Sequence, residues 1–80
     1  MNVKKKKNNV GLKIQEFAVV ESNYKSLNEL ALNQKIHSQK LYRVAYVVPQ
    51  LEWMLRLFKD LNIESDKVAN LIKDIYDNEI

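Results

Sequence analysis

The chain has 80 residues and a mass of 9.4 kDa, with a hydrophobic share of 46% and no cysteine. This length predicts one small domain with a compact core and little room for a catalytic cleft, and the lack of cysteine excludes disulfides and thiolate metal sites. The net charge of +3 indicates no partner by itself, because five lysines at positions 4–7 and 13 precede a body with eight basic and ten acidic residues.

The first eleven residues are predicted to be a disordered basic tail, and residues 12–80 a single small helical domain. Lys4 to Lys7 are followed by Asn8 and Asn9 rather than by the apolar segment of a signal peptide. No apolar run approaches the roughly 20 residues that span a bilayer. These features predict a soluble cytoplasmic protein that does not interact with membranes.

Two apolar stripes at helical spacing predict two short helices after the tail. The first stripe is Ile14, Phe17 and Ala18. The second stripe is Tyr24, Leu27, Leu30 and Ala31, which predicts a helix that ends near Leu32. Ser22 and Asn23 form the polar break between them.

Residues 33–47 allow two interpretations. Asn33 could adopt the left-handed conformation and stop the second helix, and a small β-hairpin could follow, with a turn at residues 37–39 and a second arm from Leu41. The side chains that favour a strand are Tyr42, Val44, Tyr46, Val47 and Val48. The alternative is one long helix that runs to Pro49, with Gln34 and His37 on its apolar seam.

The last third of the chain predicts two helices and the turn between them. Pro49 suits a first helical turn, and the helix from Pro49 to Leu61 is apolar on most of its circumference, with Trp53 in the core. Asn62 is expected in the left-handed conformation at its end, and Ser65 as the N-cap of a helix from Asp66 to about Asn78.

This order of elements resembles a MerR-type winged helix-turn-helix, with four helices and a short β-hairpin. The run LYRVAYVVPQLEWMLRLFKDLNIESDKVANLIKDI is similar to the second half of the chaperone-modulator (CbpM-type) family, whose R-L-x-x-D-L-x-I motif corresponds to residues 56–63. The resemblance covers about residues 12–76, but only the second half carries a motif. The fold predicted from it is mainly α, and the alternative is an all-α helical bundle with one long helix.

The resemblance implies a non-enzymatic regulator, monomeric or weakly dimeric, that binds the J-domain of a DnaJ-type co-chaperone. J-domains present a basic helix, so the partner-binding surface is expected to be acidic. The acidic residues near the end of the chain are Glu64, Asp66, Asp74, Asp77 and Glu79.

Two other functions compete with this one. As a DNA-binding regulator of the winged-helix type, the chain would place Lys25 and Asn28 against bases and would contact phosphates through Lys35, Gln39, Lys40 and Arg43. As a small helical interaction module of phage or plasmid type, it would use large aromatic side chains, namely Tyr42, Tyr46 and Trp53. No phosphate loop, carboxylate pair or nucleophile constellation predicts an enzyme, a metal site or a cofactor.

Overall fold

The computed structural model describes residues 7–80, and within that range the chain folds into five α-helices and no β-strand. The helices are α1 (Asn9–Ser22), α2 (Leu27–Gln34), α3 (Ser38–Arg43), α4 (Leu51–Asp60) and α5 (Ser65–Asn78). The all-α alternative is therefore confirmed and the predicted hairpin is wrong. The single long helix of that alternative does not form either, because the backbone turns at Lys35 between α2 and α3.

Helix α1 begins earlier than predicted because Asn8 caps it. The Asn8 side-chain oxygen accepts hydrogen bonds from the N–H groups of Val10 at 2.9 Å and Gly11 at 3.3 Å. An asparagine at this position satisfies donors that have no partner inside the helix. Residues 9–11 thus belong to the helix and not to the predicted tail, whose first six residues lie outside the described range.

Helices α2 and α3 are joined by a turn of three residues and pack against each other. Lys35 ends α2 in the left-handed conformation, at φ 55°, and the next N–H group, of Ile36, donates to the Ala31 carbonyl at 2.9 Å. The helix stop predicted at Asn33 is therefore wrong by two residues. Ending at Lys35 turns Ile36 toward the core, where its half-buried side chain packs.

The hairpin does not form because the burial of three side chains at helical spacing outweighs the strand propensity of residues 42–48. Leu41, Val44 and Ala45 are buried at 2–4% exposure, and their intervals of three and one place them on one face of a helix. The N–H groups of Val44, Ala45 and Tyr46 each donate a hydrogen bond to the carbonyl three residues earlier, and these bonds extend α3 by one tighter turn. Val47 and Val48, which favoured a strand, are exposed.

The turn between α4 and α5 follows the sequence closely. Asn62 has a φ of 60°, its N–H donates to the Lys59 carbonyl, and the N–H of Ile63 donates to the Phe58 carbonyl at 3.0 Å. These two hydrogen bonds end the helix as a left-handed residue does, so the predicted conformation of Asn62 is confirmed. Two boundaries differ: α4 begins at Leu51 rather than near Pro49, and Ser65 is the first residue of α5 rather than its cap.

The core is formed by buried side chains from all five described helices, with α2 packed against α3 and α5 against α1. Its fully buried side chains include Leu30 and Phe58, and the Phe58 ring meets Phe17 edge-on with centroids 5.0 Å apart. Trp53, predicted in the core, is only half-buried and packs at the edge of the core. Leu51 and Leu55 of α4 are exposed, so this helix is less buried than its composition suggests.

Candidate functional site

Helix α3 presents a polar and aromatic surface to solvent. Its inner face is anchored by Leu41, which is 2% exposed, while Gln39, Lys40, Tyr42 and Arg43 are exposed on its outer side. All six side chains predicted for DNA contact lie on the surface: three on α3, one on α2, one in the turn between α2 and α3, and one in the connection that precedes α2. The members of this set are Lys25, Asn28, Lys35, Gln39, Lys40 and Arg43.

No ion pair among the described residues neutralises the positive charge of α3 and the turn before it. Between Glu29 and Glu52 the sequence has no carboxylate side chain. Glu29 itself is engaged by the backbone, since its side chain accepts a hydrogen bond from the Lys25 N–H at 3.0 Å. Within residues 7–80, Lys40 and Arg43 take part in no ion pair. The α2–turn–α3 surface is therefore suited to an anionic partner.

Two shallow clefts flank α3, and Arg43 borders both. One, of about 250 Å³, is lined by Gln39, Tyr42, Arg43 and Tyr46. The other lies between α3 and the start of α4, and in it the Lys40 ammonium stands 4.7 Å from the centre of the Trp53 ring. Basic and aromatic side chains thus alternate across this surface, as they do on many nucleic-acid-binding proteins.

The start of α1 docks on the same region. The Asn8 N–H donates to the Ala45 carbonyl at 2.7 Å, and Gly11 is buried against the carbonyl of Val44. The four lysines at positions 4–7 immediately precede Asn8 in the chain. Lys7 is the residue directly before Asn8, and one residue spans at most about 3.6 Å, so the backbone of Lys7 lies close to the segment that follows α3.

The predicted acidic surface does not form a single free patch. Lys13 of α1 binds the carboxylates of Asp74 at 2.7 Å and Glu79 at 3.3 Å. The hydrogen bond from Lys13, followed by one from Asn78, holds the pKa of Asp74 below its usual value. Asp66 and Asp77 stand at opposite ends of α5, about 16 Å apart at 1.5 Å per residue.

An apolar groove runs between α4 and α5. Leu55 and Ile72 are 40% and 46% exposed along it, with Ile63 and Val68 half-buried at its floor. Lys59 stands at its edge. Of the defined positions of the R-L-x-x-D-L-x-I motif, Ile63 lines this groove.

A metal site and a membrane-spanning helix are not found among residues 7–80. His37 is exposed just before α3 and makes no side-chain capping bond. Across residues 7–80 there is no group of three histidine or acidic side chains that could hold a metal ion. In the same range no helix has the length and apolarity required to cross a membrane.

Two features of this site were missed by sequence reasoning. Lys40 and Trp53 are 13 positions apart, and no local pattern pairs them. Gly11 was given no role, although an isolated glycine within a helical segment signals close packing.

Comparison of the chain with family models, with curated proteins and with solved structures gave no match. The resemblance to chaperone modulators therefore remains a prediction.

Proposed function

We propose that the chain is a non-enzymatic DNA-binding regulator whose α2–turn–α3 segment is a helix-turn-helix without a wing. One observation carries the proposal: two short helices meet over buried Leu30, Ala31 and Leu41, and the second helix turns an uncompensated basic and polar side to solvent. In this motif the second helix enters the major groove and the first crosses the phosphate backbone.

The roles of the predicted contacts change accordingly. Gln39 and Arg43, on the exposed side of α3, become the candidates for base readout, because glutamine pairs with adenine and arginine with guanine through two hydrogen bonds. Lys25, Asn28 and Lys35, around α2, become candidates for phosphate contacts. At 1.5 Å per residue α3 is about 9 Å long, which corresponds to roughly three base pairs.

The experiment selects duplexes from a randomised library with the purified chain and measures their affinity by fluorescence anisotropy over a range of salt concentrations. Arg43→Ala is expected to weaken binding roughly 5- to 150-fold and to relax the preference at one base pair. Lys35→Gln should weaken all duplexes alike and lower the salt slope by about 0.9.

Lys73→Gln is the matched control, because Lys73 is an exposed lysine on α5. Its affinity and base preference should equal those of the wild-type chain, apart from a small effect of net charge. Absence of duplex binding at low salt, or equal losses in Lys73→Gln and Arg43→Ala, would contradict the proposal.

Binding of a DnaJ-type co-chaperone is a second candidate, and the apolar groove between α4 and α5 favours it. The groove coincides with the segment that resembles chaperone modulators, and its exposed Leu55 and Ile72 suit a protein contact. The acidic surface expected for a J-domain supports it less, because Asp74 and Glu79 are engaged with Lys13. Titration with a J-domain, compared between the wild-type chain and Leu55→Asp, tests this candidate: failure of the wild-type chain to bind would reject it.

A further inference from the structure

The cleft between α3 and the start of α4 combines two cations with the half-buried aromatic ring of Trp53. It has a volume of about 250 Å³, and its lining includes Lys40, Arg43, Val47, Pro49, Gln50 and Trp53. Val47 and Pro49 form apolar walls, and Gln50 adds an amide. The cleft opens beside the exposed face of α3.

Trp53 holds Lys40 in place. The Lys40 ammonium lies 4.7 Å from the Trp53 ring centre, within the distance at which a cation is attracted by the face of an indole. Trp53 is itself partly buried and packs against the core, which restricts the movement of its ring. A lysine held this way loses less side-chain freedom when it binds an anion.

The charge in the cleft is available to a ligand. Across the described residues, Lys40 and Arg43 have no carboxylate within ion-pair distance, whereas Lys13 has two and Arg56 and Lys67 have one each. The face of Trp53 that Lys40 covers is closed to a stacked base, so the cleft is better suited to an anion than to a nucleobase. Arg43 borders this cleft and the one beside Gln39, which joins the anion site to the base-reading surface.

We propose that this cleft binds a backbone phosphodiester of DNA, with Lys40 as its charged ligand, Trp53 as the residue that positions Lys40, and Arg43 at the rim, where it reads the neighbouring base. The inference rests on the proposed DNA-binding function and assigns one phosphate contact to the end of α3. It also explains why a large aromatic side chain stands only half-buried at the edge of the core.

Trp53 is the only tryptophan of the chain, so its fluorescence reports directly on the cleft. The emission of the wild-type chain is recorded during titration with a short mixed-sequence duplex, with inorganic phosphate and with poly-glutamate, at low salt. Anisotropy of a labelled duplex measures binding independently. The duplex is expected to change the emission, and Lys40→Gln to lower the salt slope of duplex binding by about 0.9.

Variants at position 53 separate positioning from folding. Trp53→Phe keeps a ring under Lys40 and should retain most of the affinity, whereas Trp53→Leu should weaken binding several-fold. In the Lys40→Gln background, Trp53→Leu should have no further effect on affinity, because the residue it positions is gone. A purely structural role would lower affinity equally in both backgrounds, and that result would overturn the assignment of Trp53. Lys73→Gln again serves as the charge control.

The outcomes distinguish the failure of this site from the failure of DNA binding. Duplex binding by anisotropy without a change in Trp53 emission, or with Lys40→Gln equal to wild type, overturns the cleft and leaves the helix-turn-helix intact. A response to inorganic phosphate without duplex binding overturns both the DNA-binding proposal and the phosphodiester assignment. A response to poly-glutamate alone assigns the cleft to an acidic protein, and no response to any of the three probes rejects an anion site.

Discussion

Substitution of Gly11 by alanine should destabilise the fold, although alanine is the better helix former. Gly11 lies in the first turns of α1 against the segment that follows α3. A methyl group at this position would overlap the Val44 carbonyl oxygen and would lie 3.1 Å from the Val44 carbonyl carbon and 3.3 Å from that of Ala45. These obstacles are backbone atoms, so no side-chain rotation can relieve the overlap.

The magnitude follows from two opposing effects. Overpacking costs about 1–3 kcal/mol, and backbone obstacles place this case near the upper end. The gain in helix propensity from glycine to alanine is roughly 0.5–1 kcal/mol. We therefore expect the free energy of unfolding to fall by about 2 kcal/mol, and Tm by roughly 8–16 °C for a domain of this size.

Thermal unfolding followed by far-UV circular dichroism measures the shift, and urea unfolding gives the free energy. Glu16→Ala, at an exposed position of the same helix, is the control and should change stability by no more than about 0.5 kcal/mol. A Gly11→Ala variant as stable as the wild-type chain, or more stable, would refute the close contact between α1 and residues 44–45.

Three further predictions concern the core, the ion pair and the basic tail. Phe58→Ala should lower the free energy of unfolding by about 3–5 kcal/mol in urea titrations, because it removes a side chain that is 1% exposed and its contact with Phe17. The hydrogen bond from Lys13 lowers the pKa of Asp74 in the folded state, so its stabilisation is present above the unfolded pKa near 3.8 and is lost as the pH falls through the lower folded value. The difference in Tm between the wild-type chain and Asp74→Asn should therefore be larger at pH 7 than in strong acid, and an equal difference at both would contradict the ion pair. Deletion of residues 1–7 should lower the salt slope of duplex binding by up to about 3.6, one step of about 0.9 for each of four lysines, and an unchanged slope would show that they contact no phosphate.

Local signals in the sequence predicted the second half of the fold well. The apolar periodicity of α4 and α5 and the tolerance of Asn62 for the left-handed conformation both depend on neighbouring residues, and the structure shows both helices and the turn. The errors there are shifts of one or two residues at helix starts, where Gln50 and Glu64 provide no side-chain cap, and the burial of α4, since Trp53 is only half-buried.

The first half was less predictable because its decisive contacts are distant in sequence. Strand propensity at residues 42–48 favoured a hairpin, but burial of Leu41, Val44 and Ala45 against other helices selected a short helix. The Asn8 N–H finds its acceptor 37 positions away, at Ala45. No periodicity within α1 or α3 could have indicated that contact.

In the candidate site, too, the sequence predicted single residues but not the contacts between distant segments. The six residues proposed to contact DNA were identifiable as polar or basic positions outside the apolar stripes, and the structure places all six on the surface. Their grouping was not identifiable, because Lys40 meets Trp53 only once α3 lies beside α4, and Lys13 meets Asp74 only once α1 has packed against α5.

By itself the sequence determined a small helical domain, its last two helices and the turn between them, since capping and apolar spacing act over a few residues. Only the tertiary structure decided that residues 38–43 are helical, that Lys13 neutralises part of the acidic surface, and that Lys40, Arg43 and Trp53 share one cleft. Those outcomes depend on burial and charge between segments far apart in the chain, which no local pattern records.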